Sequence, residues 1–173
     1  MHKNSQKRYY IRRAVYFITT VTKERYPYFY EEIFSHVLVG QIHIAQQLMQ
    51  FQLYAYAIMP DHVHLLIQPH DGYNYSKIMF SIKKQFSHNV NRVMGYNPFP
   101  DDENDEINIK LQHYRDEFLH KYHTAFPYPR FSWQKSFHDH IIRNQQDFYN
   151  HVRYISYQNK KHGTNGVIWV GIR

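Results

Sequence analysis

The sequence of 173 residues contains no cysteine. Disulfide bonds and thiolate zinc sites are therefore excluded, and any bound metal must rest on histidine, carboxylate or amide ligands. No apolar run approaches the length that a membrane-spanning helix needs. The basic N-terminus is not followed by an apolar segment of the kind found in signal peptides. We therefore expect a cytoplasmic protein with no membrane partner.

Positive charge and aromatic side chains are what the chain has in excess. The formal net charge is +7, and there are 17 tyrosines and 12 phenylalanines. Five of the 14 acidic residues lie in the block Asp101–Glu106, so the remaining 21 basic and 9 acidic residues give +12. This positive charge predicts a polyanionic partner. Nucleic acid is the first candidate, because tyrosine also stacks on unpaired bases. A solvated basic surface without a partner is the alternative.

The spacing of apolar residues predicts one α+β domain over residues 1–173. Strands are predicted over 14–22, 53–59, 62–69 and 131–143, and helices over 31–49, 75–94 and 145–160. This order is the split βαβ plan of a ferredoxin-like sandwich, an antiparallel sheet with helices on one face, to which the last helix is added. Residues 95–130 interrupt the order with the acidic block and a predicted helix, and they indicate an insertion within one core. Residues 167–172 are apolar enough for a short final strand.

The second and third predicted strands form a hairpin around Pro60 and Asp61. Because side chains alternate along a strand, His62 and His64 share one face with Leu66. Two imidazoles side by side on a strand make a bidentate platform for a divalent metal. A bare His-x-His pair is more often an ordinary surface or core feature, so the metal interpretation needs a third ligand and a nucleophile.

The last predicted helix offers both of these groups. Tyr154 and Gln158 are four residues apart and therefore lie on one helix face. A phenol beside an amide oxygen and two imidazoles is what a metal-dependent phosphodiester transferase with a tyrosine nucleophile needs. A packing role for Tyr154 is the alternative, and Tyr157 is a rival nucleophile.

Two acidic positions near histidines have less specific interpretations. Asp61 either caps the hairpin turn or orients an imidazole. The sequence His138-Asp139-His140 is a second His-x-His pair on the strand before the last helix. We interpret this second pair as structural or DNA-facing.

Three stretches, YAIMPDHVHLLIQP, WQKSFHDHIIR and YISYQNKKHG, resemble the IS200-like single-tyrosine transposases of the HUH class, and most of all the REP-associated tyrosine transposases. The resemblance covers the chain apart from residues 95–130. It implies a metal-dependent enzyme that cleaves single-stranded DNA near hairpins through a 5′-phosphotyrosine intermediate and rejoins strands. It also implies Mg²⁺ or Mn²⁺ as cofactor, His62 and His64 as metal ligands, and Tyr154 as the nucleophile on the C-terminal helix.

The resemblance departs from the REP-associated pattern at the last helix, where those proteins commonly read YIxxNPxKHG. Gln158 instead resembles the insertion-sequence members, in which this amide joins the metal. Those members act as homodimers that exchange the tyrosine helix, whereas REP-associated members can be monomeric, and both states stay open. The alternative functions are a non-catalytic or domesticated DNA-binding regulator on the same fold, or an HUH replication or mobilisation nuclease.

Overall fold

The computed structural model describes residues 7–100, 105–123, 126–161 and 169–172, and for 159–161 and 169–172 it gives the backbone alone. Its strands are β1 (Tyr16–Val21), β2 (Gln52–Met59), β3 (His62–Gln68), β4 (His138–Ile141) and β5 (Trp169–Ile172). Its helices are α1 (Glu32–Met49), α2 (Tyr75–Val93), α3 (Glu106–Lys121) and α4 (Gln145–Lys161). Within these ranges, no helix is long and apolar enough to cross a membrane.

The five strands form one antiparallel sheet in the order β4-β1-β3-β2-β5. The first four strands have the order of a ferredoxin-like sheet, so the predicted α+β class and strand plan are confirmed. The final strand pairs with β2 at the other edge of the sheet. The hairpin register places Met59 opposite His62 and Ala57 opposite His64.

The two faces of the sheet are covered by different helices. On one face, alternate residues of β3 join α1, α2 and the aromatic residues around them in the main core. On the other face, α4 packs through Ile155 against a small apolar cluster of Ala55, Ala57 and Leu66. Alanines at two of these strand positions allow the helix to approach the sheet closely. The predicted alternation of β3 is thus confirmed, with Leu66 on the α4 face.

The predicted insertion contributes to the main core. Asp105 caps α3 by accepting from the backbone N–H of Ile107, and Leu111 and Phe118 of this helix are buried in the core shared with α1 and α2. Residues 101–104, which contain three of the five acidic residues of the block, lie outside the described residues. The assignment of the whole chain to one domain with an insertion stays a prediction.

A buried carboxylate ties α3 to the start of α1. Glu31 is 1% exposed and accepts from Nζ of Lys121 at 2.8 Å and from the hydroxyl of Tyr122 at 2.5 Å. It also caps α1 by accepting from the backbone N–H of Ile33. Because a buried charge is stable only when it is paired and hydrogen-bonded, these contacts fix the end of α3 against the start of α1.

The edge strand β4 is shorter than the predicted range 131–143. Trp133 makes only an isolated bridge with Thr22, and regular pairing with β1 begins at His138. Between them, Nζ of Lys83 donates to the backbone carbonyls of Gln134 and Ser136 at 2.9 and 3.0 Å. Those carbonyls bond to α2 instead of to a neighbouring strand, which explains the late start of β4.

Candidate active site

The histidine pair lies on the face of the sheet that α4 covers. His62 and His64 are two residues apart on β3, and their ring centroids are 4.9 Å apart at an interplanar angle of 79°. The strand backbone is held by pairing with β1 on one side and β2 on the other. The pair therefore stands on a rigid support, as the predicted hairpin implied.

His62 is oriented by the residue before it. Nδ1 of His62 lies 2.5 Å from Oδ1 of Asp61, and a carboxylate can only accept, so Nδ1–H donates and the lone pair is on Nε2. Nη1 of Arg25 donates to the other oxygen of Asp61 at 2.8 Å. Burial raises the pKa of Asp61, but the hydrogen bonds from His62 and Arg25 outweigh it and lower that pKa. Of the two interpretations of Asp61, the hydrogen bond therefore supports the one in which it orients an imidazole.

His64 is oriented from the neighbouring strand. Its Nδ1 lies 2.9 Å from Oγ1 of Thr19, which is its direct partner in the β1–β3 register. Its Nε2 is buried and has no hydrogen-bond partner among the described residues. Burial, followed by the charges of His62 and His151, lowers the pKa of His64 to about 3. The ring is therefore neutral at pH 7, which is the form that ligates a metal.

Tyr154 of α4 lies directly against this pair. Its ring centroid is 5.3 Å from that of His64, edge to face, and 5.9 Å from that of Phe17. The side chain is 44% exposed, so the phenol is accessible from solvent. Beside it, an open cleft of about 290 Å³ is lined by Phe17, Asn150, His151 and Tyr154. Tyr154 therefore borders both this cleft and His64.

Gln158 lies one helical turn beyond Tyr154. It is 3% exposed, and its Nε2 donates to the backbone carbonyl of Tyr154 at 3.1 Å. This bond uses the nitrogen end of the amide, so Oε1 is the atom of this side chain that could ligate a metal. The rival tyrosine, Tyr157, is on the same helix and is 50% exposed. The ring of Tyr154 is the one that contacts His64.

Sequence reasoning did not identify Thr19 and Phe17 as part of the site. Both lie on β1 with their side chains on the α4 face, where Phe17 stacks on His64 with centroids 5.1 Å apart. Alternation along β1 separates them from the core residues Ile18 and Thr20. The missing information was the register between β1 and β3, which one sequence does not contain.

The second histidine pair separates into two environments. His138 is exposed, whereas His140 contacts Asp147 of α4 through Nε2 at 3.0 Å. Asp139, between them, accepts from Arg8 and from the hydroxyl of Tyr75, each at 3.0 Å. The structural interpretation is thus correct for Asp139 and His140, which connect β4 to other elements.

A basic and aromatic groove lies along α2 and the segment before β4. It has a volume of about 410 Å³ and is lined by Ser76, Phe80, Lys83, Lys84, Ser87, Trp133, Lys135 and Phe137. Phe80 is 67% exposed, and Lys84 lies 5.8 Å from the centre of its ring. Burial, followed by the charge of Arg8, lowers the pKa of Lys83 to about 8. Exposed rings beside lysines are the chemical pattern of single-strand binding surfaces.

Comparison with known proteins agrees with this geometry. Residues 10–97 match the sequence model of a family described as IS200-like transposases. A Haemophilus influenzae protein that carries the name REP-associated tyrosine transposase is 26% identical over 161 residues, covering 92% of this chain and 78% of that protein. A solved structure of a REP-associated tyrosine transposase bound to a REP hairpin has 24% identity and a TM-score of 0.62, covering 92% of this chain and 74% of that one. The predicted resemblance is confirmed.

Proposed function

Because this chain belongs to the IS200-like transposase family, we propose that it cleaves single-stranded DNA near hairpins through a phosphotyrosine on Tyr154. The proposed reaction requires Mg²⁺ or Mn²⁺ and ends with the rejoining of DNA strands. His62, His64 and Gln158 are the proposed metal ligands.

One observation carries the proposal, namely the contact between Tyr154 and His64. The two rings are 5.3 Å apart, although the residues lie on elements that are 90 positions apart in sequence. A tyrosine that served only to pack α4 on the sheet would be covered, as Ile155 is, whereas Tyr154 is nearly half exposed. The phenol is thus held at the histidines and open to a substrate at the same time.

The residues at this position fit a divalent cation. Nε2 of His64 is a buried polar atom without a partner among the described residues, and such an atom is costly unless something binds it. Asp61 and Thr19 hold the Nδ1 atoms of the two rings, so both Nε2 atoms are the ones left to ligate. Oε1 of Gln158 offers an oxygen ligand from α4. A bound cation would supply positive charge beside the scissile phosphate and the phenol oxygen.

The proposed chemistry balances as a transesterification. Oη of Tyr154 attacks the phosphorus atom, and the bond between phosphorus and the 3′ oxygen breaks. The phosphate remains on Tyr154 as a 5′-phosphotyrosine, and the proton of the phenol passes to the leaving 3′-hydroxyl by way of solvent. Because one ester replaces another, the energy of the phosphodiester is kept for the reverse attack that rejoins strands.

The proposed substrate is a DNA hairpin with a single-stranded flank. The solved relative is described as bound to a REP hairpin, and this chain has the charge and exposed rings that such a partner requires. The groove beside α2 combines Lys84 and Lys135 with Phe80. Lysines neutralise phosphates, and aromatic faces stack on bases irrespective of their sequence.

The test is formation of a covalent protein–DNA adduct. A labelled hairpin oligonucleotide with a single-stranded flank is incubated with protein and Mn²⁺ and separated on a denaturing gel. We expect a shifted adduct with the unchanged chain and none with Tyr154→Phe, since this variant lacks only the attacking oxygen. Binding of the hairpin by Tyr154→Phe should be retained.

The matched control is Tyr157→Phe, which removes the hydroxyl of another exposed tyrosine on the same helix. Its adduct should form at the normal rate. An adduct that persists in Tyr154→Phe and disappears in Tyr157→Phe would refute the assignment of the nucleophile. No adduct in any variant, with hairpin binding intact, would favour the non-catalytic regulator instead.

A further inference from the structure

A second cluster of metal-ligating side chains lies beside the candidate active site. His140 is on β4, and Asp147 and His151 are one turn apart on α4. Asn144 begins this helix by accepting from the backbone N–H of Asp147 at 2.9 Å. The cap fixes the first turn, so that Asp147 and His151 both face the edge strand.

The three side chains converge closely. Oδ2 of Asp147 is 3.0 Å from Nε2 of His140, and its Oδ1 is 3.1 Å from Nδ1 of His151. The two imidazole rings stack with centroids 4.9 Å apart and an interplanar angle of 22°. All three ligand atoms lie within 4.8 Å of one another. Each side chain is partly buried, so an ion could enter from solvent.

These distances are close to those of a metal centre. Ligands at 2.0–2.2 Å from a tetrahedral ion are separated from one another by roughly 3.3 Å. Burial raises the pKa of Asp147, but the Arg143 amide and the two histidines outweigh it and lower that pKa. The carboxyl is therefore ionised at neutral pH. Two imidazoles with one carboxylate form a ligand set for Zn²⁺ and similar transition metals.

Without a metal, the same groups hold one another through protons. Nε2–H of His140 donates to the carboxylate of Asp147 at 3.0 Å, whereas Nδ1–H of His151 donates to the backbone carbonyl of Asp147 at 2.9 Å. Nδ1 of His151 also lies 3.1 Å from Oδ1 of Asp147. An ion bound at these atoms takes the place of the two N–H groups, and each neutral imidazole then carries its proton on the other ring nitrogen.

We propose that His140, Asp147 and His151 form a second metal site, specific for a transition ion such as Zn²⁺, which fastens α4 to β4. The site shares no ligand with the histidine pair on β3. Phe17 stands between the two, with its ring 5.1 Å from that of His64 and 4.6 Å from that of His151. The ion is thus positioned to hold α4 on β4, beside the cleft that His151 and Tyr154 line.

The consequence for Tyr154 rests on the proposed function, but the metal site itself does not. His151 is three residues before Tyr154 on the same helix. An ion that joins β4 to the first turns of α4 would reduce the opening of the helix and keep the phenol at the histidine pair. Zn²⁺ would then increase the order of the active site without taking part in the chemistry.

Cobalt absorption in the full chain tests the site. In His62→Ala/His64→Ala, which lacks the histidine pair, we expect one Co²⁺ per chain with visible absorption bands, displaced by added Zn²⁺. Adding His140→Gln and His151→Gln to this variant should abolish the bands. His138→Gln, an exposed histidine on the same strand, is the matched control and should leave them unchanged.

Two results would overturn the proposal. One is the absence of Co²⁺ binding in His62→Ala/His64→Ala, and the other is binding that survives the loss of His140 and His151. Circular dichroism of each variant establishes that it is folded. If the glutamine substitutions unfold the chain, thermal melting of His62→Ala/His64→Ala decides instead, because Zn²⁺ bound to the folded state must raise its Tm.

Hydrogen exchange separates the metal site from the proposed catalysis. In His62→Ala/His64→Ala, Zn²⁺ should slow exchange of the α4 amides by tenfold or more and leave α1 unchanged. Equal exchange with and without Zn²⁺ would refute the fastening of α4. Adduct formation by the unchanged chain, together with no Co²⁺ binding by His62→Ala/His64→Ala, would refute the second site and leave the proposed function intact.

Discussion

At the scale of single residues, the candidate site depends on side chains that do not touch the substrate. Thr19 and Asp61 each hold one imidazole nitrogen, so that the other nitrogen of each ring is left to ligate. Partners of this kind fix both the tautomer and the direction of a ligand. We expect them to act on the affinity for the proposed metal and to leave the nucleophile unchanged.

Thr19→Val should weaken the metal without removing it. The substitution keeps the shape of the side chain but leaves Nδ1 of His64 without its partner, and such losses typically cost about 10–100-fold in metal affinity. We expect the Mn²⁺ concentration for half-maximal adduct formation to rise by about that factor, while the rate at saturating Mn²⁺ is nearly retained. A Mn²⁺ titration of adduct formation measures both.

The adjacent residue supplies the control for this experiment. Thr20 is buried on the opposite face of β1, and its hydroxyl has no partner in the part of the chain that the structure describes. Thr20→Val should therefore leave the Mn²⁺ dependence unchanged. If both variants shift the titration equally, the bond between Thr19 and His64 does not tune the site.

The sequence was sufficient to predict the histidine pair but not its supporting residues. Alternation along one strand determines which face His62 and His64 share, and helical spacing places Gln158 below Tyr154. The partnership of Thr19 with His64 depends on the register of two strands that are 45 residues apart. A single sequence contains no signal for such a register, because any neighbouring alignment of the same parity keeps the apolar faces matched.

At the scale of the elements, α4 buries fewer apolar side chains than α1, α2 or α3 among the residues that the structure describes. It packs on its face of the sheet through Ile155, with Phe148 and Val152 partly buried beside it. The opposite face carries α1, α2 and α3 over a far larger apolar cluster. Elements with few buried contacts open locally at a lower free energy than the global unfolding.

Ile155→Ala should therefore loosen α4 selectively. Removing a fully buried isoleucine costs about 2–5 kcal/mol, and here the cost falls on the docking of one helix. We expect amide exchange in α4 to accelerate strongly while α2 retains its protection, and adduct formation to slow. Hydrogen exchange resolved by peptide measures the difference between the helices.

A leucine on α1 serves as the control for Ile155→Ala. Leu48 lies on α1 and is 72% exposed. Leu48→Ala should change stability by no more than about 0.5 kcal/mol. Equal loss of protection in α2 and α4 for Ile155→Ala would contradict the idea that α4 is a separate unit of stability.

The limits of prediction differ between these elements. The boundaries of α1, α2 and α4 were predicted to within one residue, because apolar periodicity and caps act locally. The start of β4 was predicted seven residues too early, since Lys83 draws two carbonyls of that segment to α2. Competition from a distant side chain leaves no trace in the apolar pattern of the segment itself.

At the scale of the whole molecule, the excess of positive charge determines how the chain meets a polyanion. Each phosphate that a lysine or arginine neutralises releases counterions, so log Kd changes with log salt by about 0.7 for each contact to a single strand. We expect hairpin binding to weaken steeply between low and physiological salt. Fluorescence anisotropy over a range of salt concentrations measures the slope.

The basic and aromatic groove beside α2 should account for part of this slope. Lys84→Gln/Lys135→Gln should reduce it by about 1–2 units, if each lysine contacts one phosphate. Lys110→Gln, on α3 beside Glu106, removes one charge instead of two and should leave the slope unchanged, so the two slopes are compared per charge removed. A slope that falls equally in both cases would indicate an effect of total charge and no specific groove.

Phe17 has a further consequence for how the molecule can be observed. Its ring faces His64 on one side, tilts against His151 on another, and meets Tyr154 at its edge. An aromatic ring shifts the magnetic resonance of nuclei above its face upfield and of those at its edge downfield. His151 and Tyr154 experience this field only while α4 is docked. The proton magnetic resonance spectrum of these two rings therefore reports whether α4 is docked, without any label, substrate or metal.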